Sequence, residues 1–499
     1  MSNPPLAAAR QAFAPEAVRP PAAANFIGGR RVLGEGASHA VLRPSDGGLL
    51  APLRAASLTQ LDEAVAGAAR AQKESGWSTM EPRGRMKLLR RWANLIEQDA
   101  PALAPLEAAG SSRTHAEVLA WDLPYTAECI RFFAEFADKH GGEIGATTPD
   151  KLGFTLVEPY GVVGAIAPWN LPLVMAAWKL GPAMAAGNAV VLKPSELTPF
   201  SVVRLAELAI EAGIPAGLFN VVQGAGHDIG DALVRHEAVA KVSFTGSTRT
   251  GRAIMAACAE TGPKPSTLEL GGKSPQIVFA DADLAQASAL VARAITLNSG
   301  QVCVAGSRLL VHERARDQVV ERIVAAFTAL RHGPTWGADT TIGPIISEGQ
   351  LAQIDGVVQR AKAAGAEAVT GGNRATAPQS GSYYEPTLLA DIAPDAEAVQ
   401  GEIFGPVLTV QTFAEDEEAF AMANATRYGL AAGVHTRDLS RALRAVRRLE
   451  AGTVWVNRYG RSDDFILPTG GFRQSGVGKD LGREAYLAAC KVKTALIQL

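Results

Sequence analysis

Cysteine is scarce in this chain of 499 residues: Cys129, Cys258, Cys303 and Cys490 are too few and too scattered for a disulfide framework. A reducing compartment, the cytoplasm, is therefore the simpler expectation. An excess of one charge is also missing. Forty-eight basic against 50 acidic residues leave a formal charge of −2, which provides neither a basic footprint for nucleic acid nor a polyanionic tail. The eight histidines form no recognisable catalytic constellation, which argues against a thiol hydrolase, and no metal site is expected. Long hydrophobic runs are nearly absent. The one near spanning length, 161-GVVGAIAPWNLPLVMAAW-178, is broken by Pro168 and Pro172, carries Asn170 near its centre and is followed by Lys179, so it reads as buried structure rather than a membrane span. The Pro- and Ala-rich start has no basic segment followed by an apolar core and reads as a flexible leader, not a secretory signal. Small molecules or other protein chains remain as partners.

What is present is an alternation of strand and helix patterns. Thr59 with Asp62 resembles a capping box for a helix carrying Leu61, Val65 and Ala68 on one face. In the middle region, 161-GVVGAIAP, 189-AVVLKP, 218-LFNVVQG and 240-AKVSFTG read as buried strands. Helices 172-PLVMAAWKLGPAMAAG, 201-SVVRLAELAIEAG and 228-DIGDALVRH fall between them. Short connections in this order imply parallel strands with right-handed crossovers, an α/β doubly wound arrangement that binds nucleotides at strand C-termini. A second α/β lobe begins after about residue 270, through 276-QIVFADAD, 308-RLLVHERARDQVVERIVAAF and 452-GTVWVN.

Several segments could carry chemistry. Cys303 lies between two valines in 298-NSGQVCVAG-306, and on this segment alone a free cysteine reads as packing. The run 224-GAGHDIG-230 is one residue off the dinucleotide fingerprint, and serves equally as a glycine-rich turn. A strand ending in 244-FTGSTRTG-251 opens a helix whose free N–H groups suit an anion. In 193-KPSE-196 a lysine and a glutamate share one sheet edge and could hold ribose hydroxyls, or simply start a capped helix. Glu269 in 268-LELGGKSP-275 is either a hydrogen-bonded structural carboxylate or a general base raised by burial.

Taken together, 167-APWN-170, 193-KPSE-196, 244-FTGS-247, 268-LELGGKSP-275, 300-GQVC-303, 402-EIFGPV-407 and 452-GTVWVN-457 occur in the order found in aldehyde dehydrogenases, and the chain resembles that superfamily from about Asn25 onward. The resemblance implies a flexible leader over 1–24, a Rossmann-like cofactor domain over 25–140 and 161–270, and an α/β catalytic domain over 271–472. It also implies a small β oligomerisation arm, 141–160 with 485–499, joining subunits into homodimers or homotetramers. It makes Cys303 the nucleophile, Asn170 and the Cys303 N–H the oxyanion donors, Glu269 the base and Lys179 a proton relay. Asp480 stands where many relatives have glutamate. The implied cofactor residues are Ile166, Pro168, Trp169, Lys193, Ser195, Glu196, Gly226, Phe244, Gly246, Ser247, Leu270, Glu402 and Phe404, with Glu196 favouring NAD over NADP because it repels a 2′-phosphate.

The implied reaction turns an aldehyde into a carboxylic acid through a thiohemiacetal and a thioester. Retention of Glu269 argues against relatives that pass the thioester to coenzyme A. Leu171, Met175, Trp178, Val302 and Val304 match tunnel positions, Leu171 replacing a common phenylalanine. The loop 458-RYGRSDDFILPTGG-471 departs most, with Thr469 where Phe is usual. Its Asp463, Asp464 and Phe465 are expected near the tunnel mouth, where an acidic pair, opposed by Arg458 and Arg461, would attract an ω-amino aldehyde, and the surrounding sequence faintly resembles dehydrogenases for γ-aminobutyraldehyde derivatives; a broad aliphatic or aromatic substrate range, or a catalytically silent binding relative, are the other readings.

Overall fold

The computed structural model describes residues 12–462 and 464–499. Residues 1–11 of the expected leader and the tunnel candidate Asp463 lie outside the described residues. Phe13 packs edge-on against His115 at 5.1 Å and Trp336 at 6.4 Å.

Helix α1 (Leu58–Glu74) corrects the capping expectation. Its N-cap is Ser57, whose hydroxyl accepts from Gln60 N while Gln60 Oε1 accepts from Ser57 N, closing the box two residues earlier than Thr59 and Asp62. Asp62 faces outward to His236 Nε2 at 3.0 Å. Gln60 is long enough to return to the Ser57 amide where Asp62 is short for the same role, and it also reaches Leu33 O and Glu35 N.

The first lobe follows the expected alternation: β1 (Val162–Ile166), α2 (Pro172–Ala185), β2 (Ala189–Lys193), α3 (Ser201–Glu211), β3 (Phe219–Val221), β4 (Val239–Thr245), α4 (Thr248–Glu260) and β5 (Ser266–Glu269). The uncharged run thus divides into a strand and a helix. All fourteen residues of α2 are buried, as a helix apolar on every face must be in a water-soluble fold or a membrane. No helix among the described residues is long and apolar enough to cross a membrane. Before Asp231–Arg235 the expected helix at 228 opens as a π-turn over Gly226–Gly230.

Across the sheet the central order is β3-β2-β1-β4-β5, all parallel, with Asn25–Ile27 and Gly476–Val477 antiparallel at its flanks. The chain builds outward from β1 to β3, then returns to the other side of β1 to lay down β4 and β5. The topological switch point therefore lies between β1 and β4, and a crevice opens beyond their C-terminal ends.

A second sheet holds β6 (Pro275–Val278), β7 (Arg308–His312), β8 (Thr387–Ala390), β9 (Val407–Phe413), β10 (Ala431–His435) and β11 (Thr453–Val456). Their order is β8-β9-β7-β6-β10-β11, again parallel. The turn from β5 to β6, residues 270–274, joins the two sheets. Strand β12 (Cys490–Gln498) pairs antiparallel with Lys151–Pro159 over nine residue pairs in a separate three-stranded sheet.

Candidate active site

Cys303 is delivered by an unusual turn. Asn298, Ser299 and Gly300 follow one another at φ 48°, 53° and 73°, and each non-glycine residue in that left-handed region costs about 1–2 kcal/mol. Hydrogen bonds offset the cost: Ser112 Oγ donates to Asn298 Oδ1 at 2.9 Å, Asn298 Nδ2 to Asn170 O at 2.9 Å, and Ser299 Oγ to Gly343 O at 2.7 Å. Gly300 has no alternative, because a Cβ there would lie 2.2 Å from Gly405 O. Gln301 is wholly buried and fastened through both ends of its amide to Asn298 O, Pro344 O and Ile346 N. The Asn170 amide donates to Gln301 O at 2.9 Å. One Asn170 amide hydrogen and the Cys303 N–H are left as uncommitted donors at this turn among the described residues. Burial pushes the Cys303 thiol up to about 12; the Arg461 charge opposes this, while Glu402 and Glu269 add to it.

Glu269 ends β5, where its backbone carbonyl accepts from Gly246 N at 3.0 Å. Its carboxylate is buried and Oε1 has no partner among the described residues. Burial holds the carboxyl well above the usual carboxylate range, with Asp480 pushing the same way and Lys179, Arg461 and Lys479 opposing. Lys179, on α2, donates to Ser243 Oγ at 3.2 Å and stands 3.6 Å from Asp480 Oδ2. Asp480 itself is set by a reciprocal backbone pair with Thr469. A carboxylate in place of the longer glutamate still reaches the lysine.

The two glycines after Leu270 make room for a second carboxylate. Glu402 Oε1 accepts from Gly272 N at 3.1 Å. A Cβ on Gly271 would fall 2.2 Å from Glu402 Oε2, and one on Gly272 would fall 2.5 Å from Cys303 O. Burial raises the Glu402 carboxyl to about 7, against the Gly272 N–H and Lys273. Phe404, at φ 56°, sets its ring edge-on to Trp169 at 5.2 Å.

Ile166, Pro168 and Trp169 are half-exposed at the end of an otherwise buried β1, facing the crevice. Lys193, at the end of β2, bonds to Pro194 O at 2.9 Å and Glu196 Oε2 at 3.2 Å; its burial lowers the ammonium pKa, which Glu196 resists. The Glu196 side chain remains 40% exposed, so its second oxygen is open to a ligand. Ser195 is not capping a helix but closing a turn onto Leu197 N. Opposite, Phe244 is the penultimate residue of β4, a Cβ on Gly246 would lie 2.5 Å from its ring, and Ser247 caps α4 through Thr250 N. Leu270 packs under Gly251 of that helix. Gly226 faces open space.

On the tunnel side, Leu171, Met175 and Trp178 are buried along α2. Val302 lies in the apolar core of the second lobe, with Val304 packed on it half-exposed. Phe465 stacks on Tyr125 and Phe132 at 4.6 and 5.8 Å. Asp464 is turned toward its own loop, accepting from Ser462 N at 3.0 Å. Arg461 is the residue that sequence reasoning left out of the site. Its guanidinium lies 5.3 Å from the Trp178 ring centre and 6.0 Å from that of Trp455, and it bonds to Thr469 Oγ1. Thr469, at the usual aromatic position, was the available signal.

The sequence pattern of the aldehyde dehydrogenase family matches residues 32–495. An indole-3-acetaldehyde dehydrogenase solved with NAD+ is 41% identical over 97% of this chain and 98% of its own, with a TM-score of 0.95. A gamma-glutamyl-gamma-aminobutyraldehyde dehydrogenase from Burkholderia cenocepacia is 42% identical over 99% of both chains, also at 0.95. The aldehyde dehydrogenase KauB from Pseudomonas aeruginosa is 39% identical over 97% of this chain and 98% of its own, at 0.95. With the pattern and the likeness both running nearly end to end, this chain belongs to the aldehyde dehydrogenase family.

Proposed function

We propose that Cys303 attacks an aldehyde carbon and that the chain oxidises it to a carboxylic acid with NAD as acceptor. The observation that carries this reading is the left-handed turn that sets the cysteine beside the Asn170 amide, within electrostatic reach of the unpartnered Glu269. The crevice fits a dinucleotide: it lies at the switch point, Gly226 leaves space, and Glu196 and Glu402 present acceptors at its two ends. NAD, when bound, supplies the two-electron acceptor.

Glu269 is matched to take the Cys303 proton as the C–S bond forms, since both groups are raised by burial. The carbonyl oxygen becomes an oxyanion between the Asn170 amide and the Cys303 N–H, donors already in place before charge develops. Loss of hydride from the tetrahedral carbon leaves a thioester on the sulfur. Glu269 then draws a proton from water as its oxygen attacks, the C–S bond breaks, and the acid is released. Lys179 and Asp480 hold the base between two opposite charges and offer its proton a way out.

For the ω-amino aldehyde reading, Asp464 serves its own turn and the cation of that loop covers Trp178, while Asp463 lies outside the described residues. Strand β12 is a sheet edge with Val492, Leu496 and Ile497 exposed, which supports pairing into homodimers or homotetramers. All four cysteines are free thiols, in keeping with a reducing cytoplasm.

The test is NADH formation with a broad aldehyde panel, wild type against Cys303→Ala. Turnover lost in the variant supports the reading. No turnover with any aldehyde in the wild type points to a silent relative instead.

A further inference from the structure

The wall of the tunnel carries hydrogen-bond donors with too few acceptors. Arg461 is half-buried, and no carboxylate among the described residues lies within ion-pair distance of it. Its guanidinium is spread over the Trp178 and Trp455 rings and steadied at one nitrogen by the Thr469 hydroxyl. Thr469 is followed by Gly470, where a Cβ would sit 2.6 Å from Glu269 Oε1, so the anchor of this arginine adjoins the base. Two more donors are close by. The Trp178 indole N–H and the Tyr125 hydroxyl are buried beside one another and interact, and neither has a further partner among the described residues. Arg461 acts electrostatically on that same tyrosine, and on Cys303 and Glu269.

Charges near it come from several elements. Lys479 is a second cation, bonded to Gly470 O at 2.5 Å, and Arg458 a third, on Gly460 O and Ser462 Oγ. Asp464 is the opposing carboxylate, held by the Ser462 amide. A guanidinium set against two aromatic rings and bonded at one nitrogen keeps the rest of its in-plane N–H fork free, and that fork matches a carboxylate in two parallel hydrogen bonds. Exposed arginines usually satisfy themselves with water; this one is held in place on the substrate side of the site.

Resting on the aldehyde dehydrogenase reading, we propose that Arg461 makes this enzyme select aldehydes that carry a carboxylate at the end remote from the aldehyde carbon. Arg461 is a specificity residue: its guanidinium binds the remote end. A cationic ω-amino aldehyde meets a like charge and is disfavoured.

The experiment compares kcat/KM for a neutral alkanal, an ω-carboxy aldehyde and an ω-amino aldehyde of equal chain length, with NAD, at low and high ionic strength. Wild type is expected to favour the carboxy aldehyde over the neutral one by at least tenfold, mostly through KM, and less so at high salt. Arg461→Gln lowers kcat/KM for every substrate, because its charge also acts at Cys303 and Glu269, so the carboxy-to-neutral ratio is the readout. That ratio should fall at least tenfold in Arg461→Gln, stay above unity in Arg461→Lys, and give way to a preference for the amino aldehyde in Arg461→Glu. A wild-type ratio near one, or a ratio unmoved by Arg461→Gln, overturns the inference and leaves Arg461 as packing for Trp178. If no aldehyde yields NADH in the wild type, the parent reading fails instead.

Discussion

Replacing Glu402 by glutamine should stabilise the fold while impairing the enzyme, and the gain should grow with pH. The Glu402 carboxyl titrates at about 7 in the folded chain, against 4.5 for an ordinary glutamate. The folded state therefore holds this proton more tightly than the unfolded state. Its contribution is fully favourable below pH 4.5, is lost as pH rises toward 7, and is absent above that. Linkage gives a penalty on the folded wild type of up to about 1.4 kcal/mol at pH 5.5 and about 3.4 kcal/mol at pH 8.5. The amide in Glu402→Gln cannot ionise, and its oxygen keeps the bond from Gly272 N, so the variant escapes most of this penalty. Denaturant unfolding of variant and wild type, without NAD, at both pH values should show the variant ahead, by about 2 kcal/mol more at the higher pH. A variant less stable at pH 8.5 than at pH 5.5 relative to wild type would refute the assignment of a buried, raised carboxyl. Its kcat/KM should nonetheless fall, because the charged acceptor at the crevice is gone.

Lys179→Met should shift the acid limb of the pH–rate profile upward, since Lys179 holds the Glu269 carboxyl down; Asp480→Asn should shift it downward, since Asp480 pushes it up. Shifts of the same sign would end the relay argument. Asn170→Ala should cost about a hundredfold or more in kcat, and a change confined to KM would remove Asn170 from the oxyanion role. Gly300→Ala meets both the 2.2 Å approach to Gly405 O and the positive φ; a loss of about 2–4 kcal/mol in unfolding free energy is expected, and an unchanged midpoint would show that the turn yields. Glu196 should give NAD at least a tenfold advantage over NADP in kcat/KM, about 1.4 kcal/mol, and Glu196→Gln should narrow it.

The parts of this fold that sequence revealed are those governed by local periodicity. Buried strands such as Val162–Ile166 and Ala189–Lys193 announce themselves as short apolar runs between turn residues, and their order alone puts the switch point beside β1. Ambiguity entered where two local signals compete. Thr59 with Asp62 has an aspartate where a capping box needs the reach of Glu or Gln, which Ser57 with Gln60 supplies, and contacts from Gln60 to Leu33 and Glu35 add to it. Asn298 and Ser299 gave no sign of a left-handed backbone, because the bonds that hold it come from Ser112 and Gly343, far away in the chain.

Arg461 was harder still. A charge in a loop is solvated by default, and its acidic neighbours Asp463 and Asp464 carry more weight in a reading by composition. Thr469 and Arg461, taken as a pair, hold the missing information. An aromatic residue at position 469 could not accept a hydrogen bond from a guanidinium; the Thr469 hydroxyl does. A hydroxyl one residue before the glycine that borders Glu269 is hard to justify as packing, and an arginine eight residues earlier is hard to justify as solvation. Each residue supplies the partner the other lacks, and together they turn a loop read for its acids into one that sets a cation against Trp178.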